Sequence, residues 1–142
     1  MQIGVFNGVN LDMLGNRDPE IYGGISYSEL ETRIYAWAAE LGCSARCSQT
    51  NHEGEIIDSL HEARAWANGV VINPGAWTHY SYAIHDALEL FDVPVVEVHL
   101  SDISGREDWR KRSVIEAVVT HRVIGEGPAG YRRALALLTD ME

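Results

Sequence analysis

The sequence predicts an α/β fold, a single-domain, three-layer arrangement with a five-stranded parallel sheet. Short apolar runs typical of buried strands alternate with amphipathic helical segments along the chain. The connections between successive strands are too long for hairpins, which favours parallel pairing with helices on both faces of the sheet. The 142 residues suffice for one buried core and are too few for two, so we expect one domain, residues 1–142.

Turn and capping residues bound the predicted elements. The first strand is an apolar run that ends in Asn and Gly, as a buried parallel strand should. The first long helix begins at a capping box of Ser26 and Glu29 and ends at Gly42. The full set is strands at 3–6, 44–49, 69–75, 94–100 and 118–124, and helices at 26–41, 53–67, about 80–91 and 131–138. For the sheet we favour the flavodoxin-like strand order 2-1-3-4-5.

The charge balance and the opening residues limit the classes of partner. A net charge of −10 disfavours nucleic-acid binding and allows an anionic small molecule only where arginines cluster. The opening MQIGVFNGVNL has no basic region and no long apolar segment, so we expect a cytoplasmic protein that does not contact membranes. Cys43 and Cys47 have neither zinc-knuckle nor CxxC spacing, and we expect both to be buried as small apolar residues.

Nucleotide and metal sites have only weak motifs. GEGPAG at 125–130 fits G-x-G-x-x-G, but the 12 residues that follow leave no room for a second strand and an acidic ribose partner. A tight turn with Pro128 at the start of the last helix is the better interpretation. His79 and His85 are six positions apart and share no helical face, so we expect no catalytic metal.

Polar side chains gather where three predicted strands end. Asn7 and Asn10 follow the first strand, Asn73 ends the third, and His99 and Ser101 end the fourth. In open parallel sheets, ligands bind beyond the carboxyl ends of the strands, where the strand order reverses. Any one of the asparagines alone is more typical of a turn or a helix cap. Their convergence favours a ligand site between strands one and three.

The fourth strand and the segment after it carry charged groups at useful spacings. Glu97, His99 and Ser101 alternate, so they point to the same side of the strand. A carboxylate two residues from a histidine orients the ring and fixes its tautomer, as a general acid requires, and a surface salt bridge is the alternative. Arg106 and Arg110 are four apart, so one helical turn aims both guanidinium groups at the crevice, where they suit hydroxyls and carboxylates.

The stretch GNRDPEIYGG, residues 15–24, places Arg17 and Tyr22 between glycines. A tyrosine hydroxyl ionises at about pH 10 and is a poor base unless a cation stabilises the phenolate. A mobile lid that closes over a ligand would bring both groups in together. Taken alone, the stretch is more typical of a plain surface loop.

Three separated segments together carry a family resemblance. They are NGVNLDMLGNRDPEIYG, NPGAWTHYSYAIHDAL and EVHLSDISGREDWRKRS. In this order and at these distances they resemble the type II 3-dehydroquinate dehydratases, over residues 3 to about 138. The resemblance implies dehydration of 3-dehydroquinate to 3-dehydroshikimate, a step of the shikimate pathway, by anti elimination through an enolate and without metal or cofactor.

The resemblance also implies roles for individual residues. Tyr22 matches the base that takes the C2 proton, and Arg17 matches the lid arginine that activates it. Asn10 matches the residue that holds a water against the enolate oxygen. His99, oriented by Glu97, matches the acid that protonates the departing hydroxyl. The matched binding residues are Asn73, Ser101 and the backbone near Leu100 for the substrate carboxylate, His79 and Arg110 for the ring hydroxyls, Arg106 for lid closure and Asp86 for the neighbouring subunit's site. The family assembles as trimers packed into dodecamers, which implies the same homo-oligomer here.

The lysine content independently favours the enolate route. The other route to this dehydration uses a lysine Schiff base, which needs an apolar setting to activate the amine. The only lysine, Lys111, lies in a charged run beside Arg110 and Arg112. The residues present therefore favour tyrosine and histidine chemistry.

The chain departs from the family pattern at four positions. Val9 stands where the family has the proline of GPN, Asp18 where it has the glutamate of REP, His85 where it has an arginine, and Asp102 where it has an asparagine. Asp102 would put an anion near the expected carboxylate site, which raises the alternative of a modified substrate such as an amino-dehydroquinate. Two further alternatives stay open: a non-catalytic binding or assembly protein of the same fold, and a flavodoxin-like nucleotide binder.

Overall fold

Five parallel strands form one sheet in the order β2-β1-β3-β4-β5 in the computed structural model, which describes residues 1–142. The strands are β1 (Gln2–Asn7), β2 (Ser44–Gln49), β3 (Gly69–Asn73), β4 (Val95–His99) and β5 (His121–Ile124). The helices are α1 (Pro19–Tyr22), α2 (Tyr27–Glu40), α3 (Glu53–Ala63), α4 (Tyr82–Glu89) and α5 (Ala129–Asp140), with short 3-10 turns between some elements. The fold class and the strand order predicted from the sequence are confirmed.

Helices cover both faces of the sheet with separate apolar layers. On one face, Leu30 and Ile34 of α2 and Leu135 of α5 are fully buried against the strands. On the other face, Leu60 of α3 and Leu88 of α4 are buried in the same way. Because the central strands β3 and β4 are buried along their whole length, polar side chains there stand out as candidates for function.

The edge strand β2 departs from one expectation. Cys43, which directly precedes β2, and Cys47 within it are half-buried free thiols rather than buried ones. A strand at the edge of the sheet has a neighbour on one side only, so its side chains keep partial contact with solvent. Burial still raises the pKa of the Cys47 thiol to about 12, so this thiol stays protonated at neutral pH.

Some element ends differ from the predicted ones. The helix predicted to run to residue 67 ends at Ala63, because its last turn tightens and the N–H of Ala65 donates to Glu62 O three residues back. The last strand begins at His121 rather than 118, since residues 116–118 form a 3-10 turn. None of the helices has the length and apolar character needed to cross a lipid bilayer.

The stretch 15–24 contains more regular structure than a plain loop. The Asp18 side chain caps the short helix α1 by accepting from the Glu20 N–H at 3.0 Å. Gly23 and Gly24 then take positive φ values of 91° and 72°, which ends the helix and turns the chain toward α2. The helix presents Tyr22 on its buried side.

Candidate active site

A cavity lies at the carboxyl ends of β1, β3 and β4, where the strand order reverses. The predicted site residues that line it are Asn10, Arg17, Tyr22, Asn73, His79, His99, Leu100, Ser101, Arg106 and Arg110. Further lining residues that sequence reasoning missed are Val9, Leu11, Gly75, Ala76 and Ile103. Three arginines and no carboxylate face this cavity, so it is locally positive in a protein of net charge −10.

Close backbone packing shapes one wall of the cavity. A Cβ on Gly8 would lie 2.5 Å from the carbonyl oxygen of Pro74, and one on Gly75 would lie 2.7 Å from the carbonyl oxygen of Val9. The loops after β1 and β3 can therefore approach this closely only with glycine at both positions. Asn10, in the loop after β1, has φ 68°, the one positive φ in the chain outside glycine.

The Tyr22 hydroxyl lies between two arginines. Arg17 Nη2 donates a short hydrogen bond to it, and Arg106 Nη1 donates another at 2.9 Å. The Arg17 guanidinium carbon also lies 3.9 Å from the centre of the tyrosine ring. One phenolic oxygen thus accepts from two cationic donors. The prediction from the loop sequence included Arg17 as this cation, and the structure adds Arg106.

Glu97 is a fully buried carboxylate on β4 whose oxygens accept from four side chains. His99 Nε2 lies 2.5 Å and Thr78 Oγ1 2.6 Å from Oε2, while Arg122 Nε lies 2.9 Å from Oε1. Ser113 Oγ also donates to Oε1 at 3.1 Å. Burial raises the pKa of Glu97, but the hydrogen bonds and charges of His99, Thr78 and Arg122 outweigh it and lower the pKa to about 2. Glu97 is thus ionised at neutral pH.

The ionised carboxylate fixes the tautomer of His99. An ionised carboxylate can only accept, so His99 Nε2 carries the hydrogen in this pair. The other ring nitrogen, Nδ1, is left for a ligand in the cavity that His99 lines. Sequence reasoning found the Glu97–His99 pair from their alternation, but it missed Thr78, Ser113 and Arg122, which come from separate loops and β5.

His79 is held beside His99 in a defined tautomer. Its Nδ1 lies 2.6 Å from the backbone oxygen of Arg112, and since a carbonyl only accepts, Nδ1 donates and Nε2 is free. Burial lowers the pKa of His79, and the charges of His99 and Arg110 lower it further against the raising effect of the Arg112 carbonyl. The Trp109 ring packs edge-on against His79 with centroids 5.2 Å apart.

Asn73 is fixed by a buried network that sequence reasoning also missed. Its Nδ2 donates to the Tyr131 hydroxyl at 2.9 Å, and Tyr131 donates to Asn7 Oδ1 at 2.6 Å. Its Oδ1 accepts from the Gly75 N–H at 3.1 Å. One N–H of the Asn73 amide remains for a ligand. Asn7, expected near the ligand, does not line the cavity and instead accepts from Tyr131. Tyr131 resembles an ordinary core residue of α5 in sequence.

One predicted placement around the arginines is wrong. Arg106 and Arg110 do not share one helical turn, because the chain forms separate 3-10 turns at Ile103–Gly105 and Asp108–Lys111, although both side chains reach the cavity. Asp102 does not line that cavity, and its carboxylate instead accepts from the N–H and hydroxyl of Ser104. Asp102 nevertheless lies close to the expected carboxylate site, in a neighbouring cavity that Leu100, Ser101 and Arg106 also line.

Asp86 lies on α4, outside the cavity of its own chain, with 79% of its side chain exposed. Its carboxylate and the side chains of His85 and Glu89 are close enough together to share a cation. Asp86 and Glu89 are exposed, His85 is half-buried, and none of the three lines the cavity.

The GEGPAG turn has no free phosphate-binding groups at its first two glycines. Gly125 and Gly127 have φ values of 77° and 61°, and their N–H groups donate to the backbone oxygens of His99 and Leu100. Pro128 is the N-cap of α5. The tight-turn interpretation therefore fits the observed geometry better than a nucleotide fingerprint.

Comparisons with known proteins agree with this architecture. Residues 1–139 match the family model described as dehydroquinase class II. The chain is 48% identical over 138 residues to the 3-dehydroquinate dehydratase of Halalkalibacterium halodurans, covering 97% of this chain and 95% of that protein. It is 52% identical over 135 residues to the one of Thermotoga neapolitana, covering 95% and 92%. The crystal structure of a type II dehydroquinase from Butyrivibrio crossotus superposes with a TM-score of 0.95 at 44% identity, covering 97% of each chain.

Proposed function

The chain belongs to the class II dehydroquinase family, and from that premise we propose that it is a hydro-lyase that dehydrates 3-dehydroquinate to 3-dehydroshikimate. The observation that carries the proposal is the contact of the Tyr22 hydroxyl with Arg17 and Arg106 in the cavity that also holds His99. Elimination of water needs a base for a carbon-bound proton and an acid for the leaving hydroxyl. Tyr22 and His99 supply these two groups.

Substrate binding follows from the charges and donors of the cavity. The three arginines attract an anionic substrate, and no lining carboxylate repels it. The substrate carboxylate binds at the free Asn73 N–H, the Ser101 hydroxyl and the backbone near Leu100. Arg110 and the free Nε2 of His79 bind ring hydroxyls, since one donates and the other, in the neutral ring, accepts.

Proton abstraction is the first chemical step. The Tyr22 phenolate, stabilised by Arg17 and Arg106, takes a proton from C2 of the substrate, and the bonding pair moves into the adjacent carbonyl to form an enolate. Asn10 holds a water that donates to the enolate oxygen. Donors placed in advance at a developing negative charge are commonly among the largest contributions to such a step.

Loss of the hydroxyl completes the reaction. The enolate electrons return to form the C1–C2 double bond, the C1–O bond breaks, and His99 Nδ1–H gives its proton to the departing oxygen as water. His99 must therefore begin this step as an imidazolium, which the ionised Glu97 stabilises at 2.5 Å. Tyr22 ends the cycle protonated and His99 neutral, and solvent returns both to their starting states.

We further propose that the functional unit is an oligomer built from trimers, in which Asp86 reaches the active site of a neighbouring subunit. Asp86 is exposed in the single chain and has no place in the cavity of its own chain. A site residue supplied by a neighbour makes activity depend on assembly.

A continuous ultraviolet assay tests the proposed reaction. The product is a conjugated enone carboxylate, which absorbs where the substrate does not. We expect absorbance to rise when the purified protein meets 3-dehydroquinate. A folded protein that binds 3-dehydroquinate without any rise in absorbance would favour the non-catalytic binding alternative.

A further inference from the structure

The backbone of Asn10 is held in its unusual conformation by a side chain from another loop. Asn51 lies between β2 and α3, and its Oδ1 accepts from the Asn10 backbone N–H at 2.9 Å. Its Nδ2 donates to Asp12 Oδ2 at 3.0 Å. One side-chain amide therefore holds the turn at two points, at Asn10 itself and at Asp12 two residues later.

A second amide fixes the start of the same turn. Gln49 Nε2 donates to the backbone oxygen of Gly8 at 3.1 Å and to Asn51 Oδ1 at 3.2 Å. Gln49 is the last residue of β2, and its backbone is paired with Asn7 at the end of β1. The loop that carries Asn51 is thus anchored to the sheet, so it is a firm support for the turn.

The side chain of Asn10, in contrast, does not help to hold the turn. Asn10 precedes the 3-10 turn Leu11–Asn16, yet it makes no side-chain capping hydrogen bond, and it lines the cavity. A residue with φ 68° that is not glycine persists only where surrounding contacts hold it. The direction of the Asn10 side chain into the cavity therefore depends on the contacts of its backbone.

We propose that Asn51 is a positioning residue, which holds the Asn10 backbone so that the Asn10 amide can fix the water on the enolate oxygen. The inference rests on the role of Asn10 in the proposed function. Asn51 is exposed, so its removal takes no packing from the core. Its loss frees the turn while the arginines, Tyr22 and His99 stay in place.

The chain offers a matched control. Asn68 is also exposed, and its Oδ1 accepts from the backbone N–H of Gln2 at 2.8 Å, at the opposite end of β1 from the cavity. Asn51→Ala and Asn68→Ala each remove a hydrogen bond from a backbone N–H to a side-chain Oδ1, and Asn51→Ala also removes the bonds with Asp12 and Gln49. Both should lower thermal stability, but only the first should act on turnover.

Steady-state kinetics with 3-dehydroquinate test the inference. We expect Asn51→Ala to lower kcat about fivefold to tenfold, the equivalent of one hydrogen bond, with KM within about twofold. In an Asn10→Gly background, which tolerates the positive φ, Asn51→Ala should lower kcat no further. The paired exchange Asn51→Asp with Asp12→Asn keeps an acceptor for the Asn10 N–H and a donor from position 12, so it should restore kcat.

Three outcomes would overturn the inference. These are an unchanged kcat in Asn51→Ala, an equal loss of kcat in Asn68→Ala, or an equal further loss in the Asn10→Gly background. If Asn10→Gly itself keeps the wild-type kcat, the proposed role of Asn10 fails and the inference falls with it. A wild-type protein without dehydratase activity would instead refute the proposed function directly.

Discussion

Arg106 Nη1 lies 2.9 Å from the hydroxyl oxygen of Tyr22, and the two residues are 84 positions apart in the sequence. The same Arg106 nitrogen lies 3.4 Å from Ser101 Oγ, at the end of β4. The contact therefore joins the stretch 15–24 to the carboxyl edge of the sheet. It places a second cation on the oxygen that we propose as the base.

Removing this cation should slow the chemical step. We expect Arg106→Met to lower kcat/KM about a hundredfold, because the phenolate of Tyr22 loses one of its two stabilising donors. The measurement is steady-state kinetics by ultraviolet absorbance. Arg46→Met is the control, since Arg46 stacks on Trp66 away from the cavity, 4.4 Å from its ring centre. Equal losses in both variants would contradict the role of Arg106.

Neutralising Glu97 should impair the acid step. Glu97→Gln keeps the shape of the side chain but removes the charge that stabilises the imidazolium of His99, so we expect kcat to fall about a hundredfold or more. Glu116→Gln is the control. Glu116 Oε1 lies 3.6 Å from Arg122, which also pairs with Glu97, but Glu116 is exposed and does not touch His99. A Glu97→Gln enzyme with wild-type kcat would show that His99 needs no charged partner.

Glu97 should also make stability depend on acid pH. Its pKa is about 2 in the folded chain against an ordinary value of 4.5, so ionised Glu97 stabilises the fold fully above about pH 4.5. As the pH falls through 2 the carboxylate is protonated and this stabilisation is lost. In urea titrations, the free energy of unfolding of the wild type should differ from that of Glu97→Gln by less and less as the pH falls from about 4.5 to about 2. A difference that stays constant from pH 5 to about pH 2 would contradict the lowered pKa.

Replacing Asp86 should affect assembly or affinity more than chemistry. We expect Asp86→Ala to weaken the oligomer or raise KM severalfold, with kcat of the assembled enzyme within about threefold. Sedimentation velocity and kinetics on the same samples measure both effects. Asp58→Ala, at an exposed site on α3, is the control. If Asp86→Ala keeps both its oligomer and its KM, the proposed reach into a neighbouring site is wrong.

The sequence predicted the sheet well because buried parallel strands and capped amphipathic helices have local signals. The alternation of Glu97 and His99 on β4 likewise predicted their pairing, which the structure shows at 2.5 Å. Local patterns do not reveal contacts made by tertiary packing. Arg122 reaches Glu97 from β5, and Tyr131 reaches Asn73 from α5, and neither residue is unusual within its own element.

The direction of the Asp102 carboxylate has a local physical reason. Its side chain caps the 3-10 turn at Ile103–Gly105 by accepting from Ser104, a use that short acidic side chains commonly have. Sequence position next to Ser101 indicated proximity to the cavity but not the direction of the carboxylate. For the same reason, the two arginines that follow were assigned to one helical turn that the chain does not form.

The most direct test of the central claim is turnover of 3-dehydroquinate by Tyr22→Phe, followed by ultraviolet absorbance. The substitution removes only the hydroxyl and keeps the buried ring in the core. We predict that kcat falls by about a thousandfold or more while substrate binding stays within about tenfold, and that Tyr80→Phe, at an exposed site, is unaffected. Substantial turnover by Tyr22→Phe would mean that another group is the base.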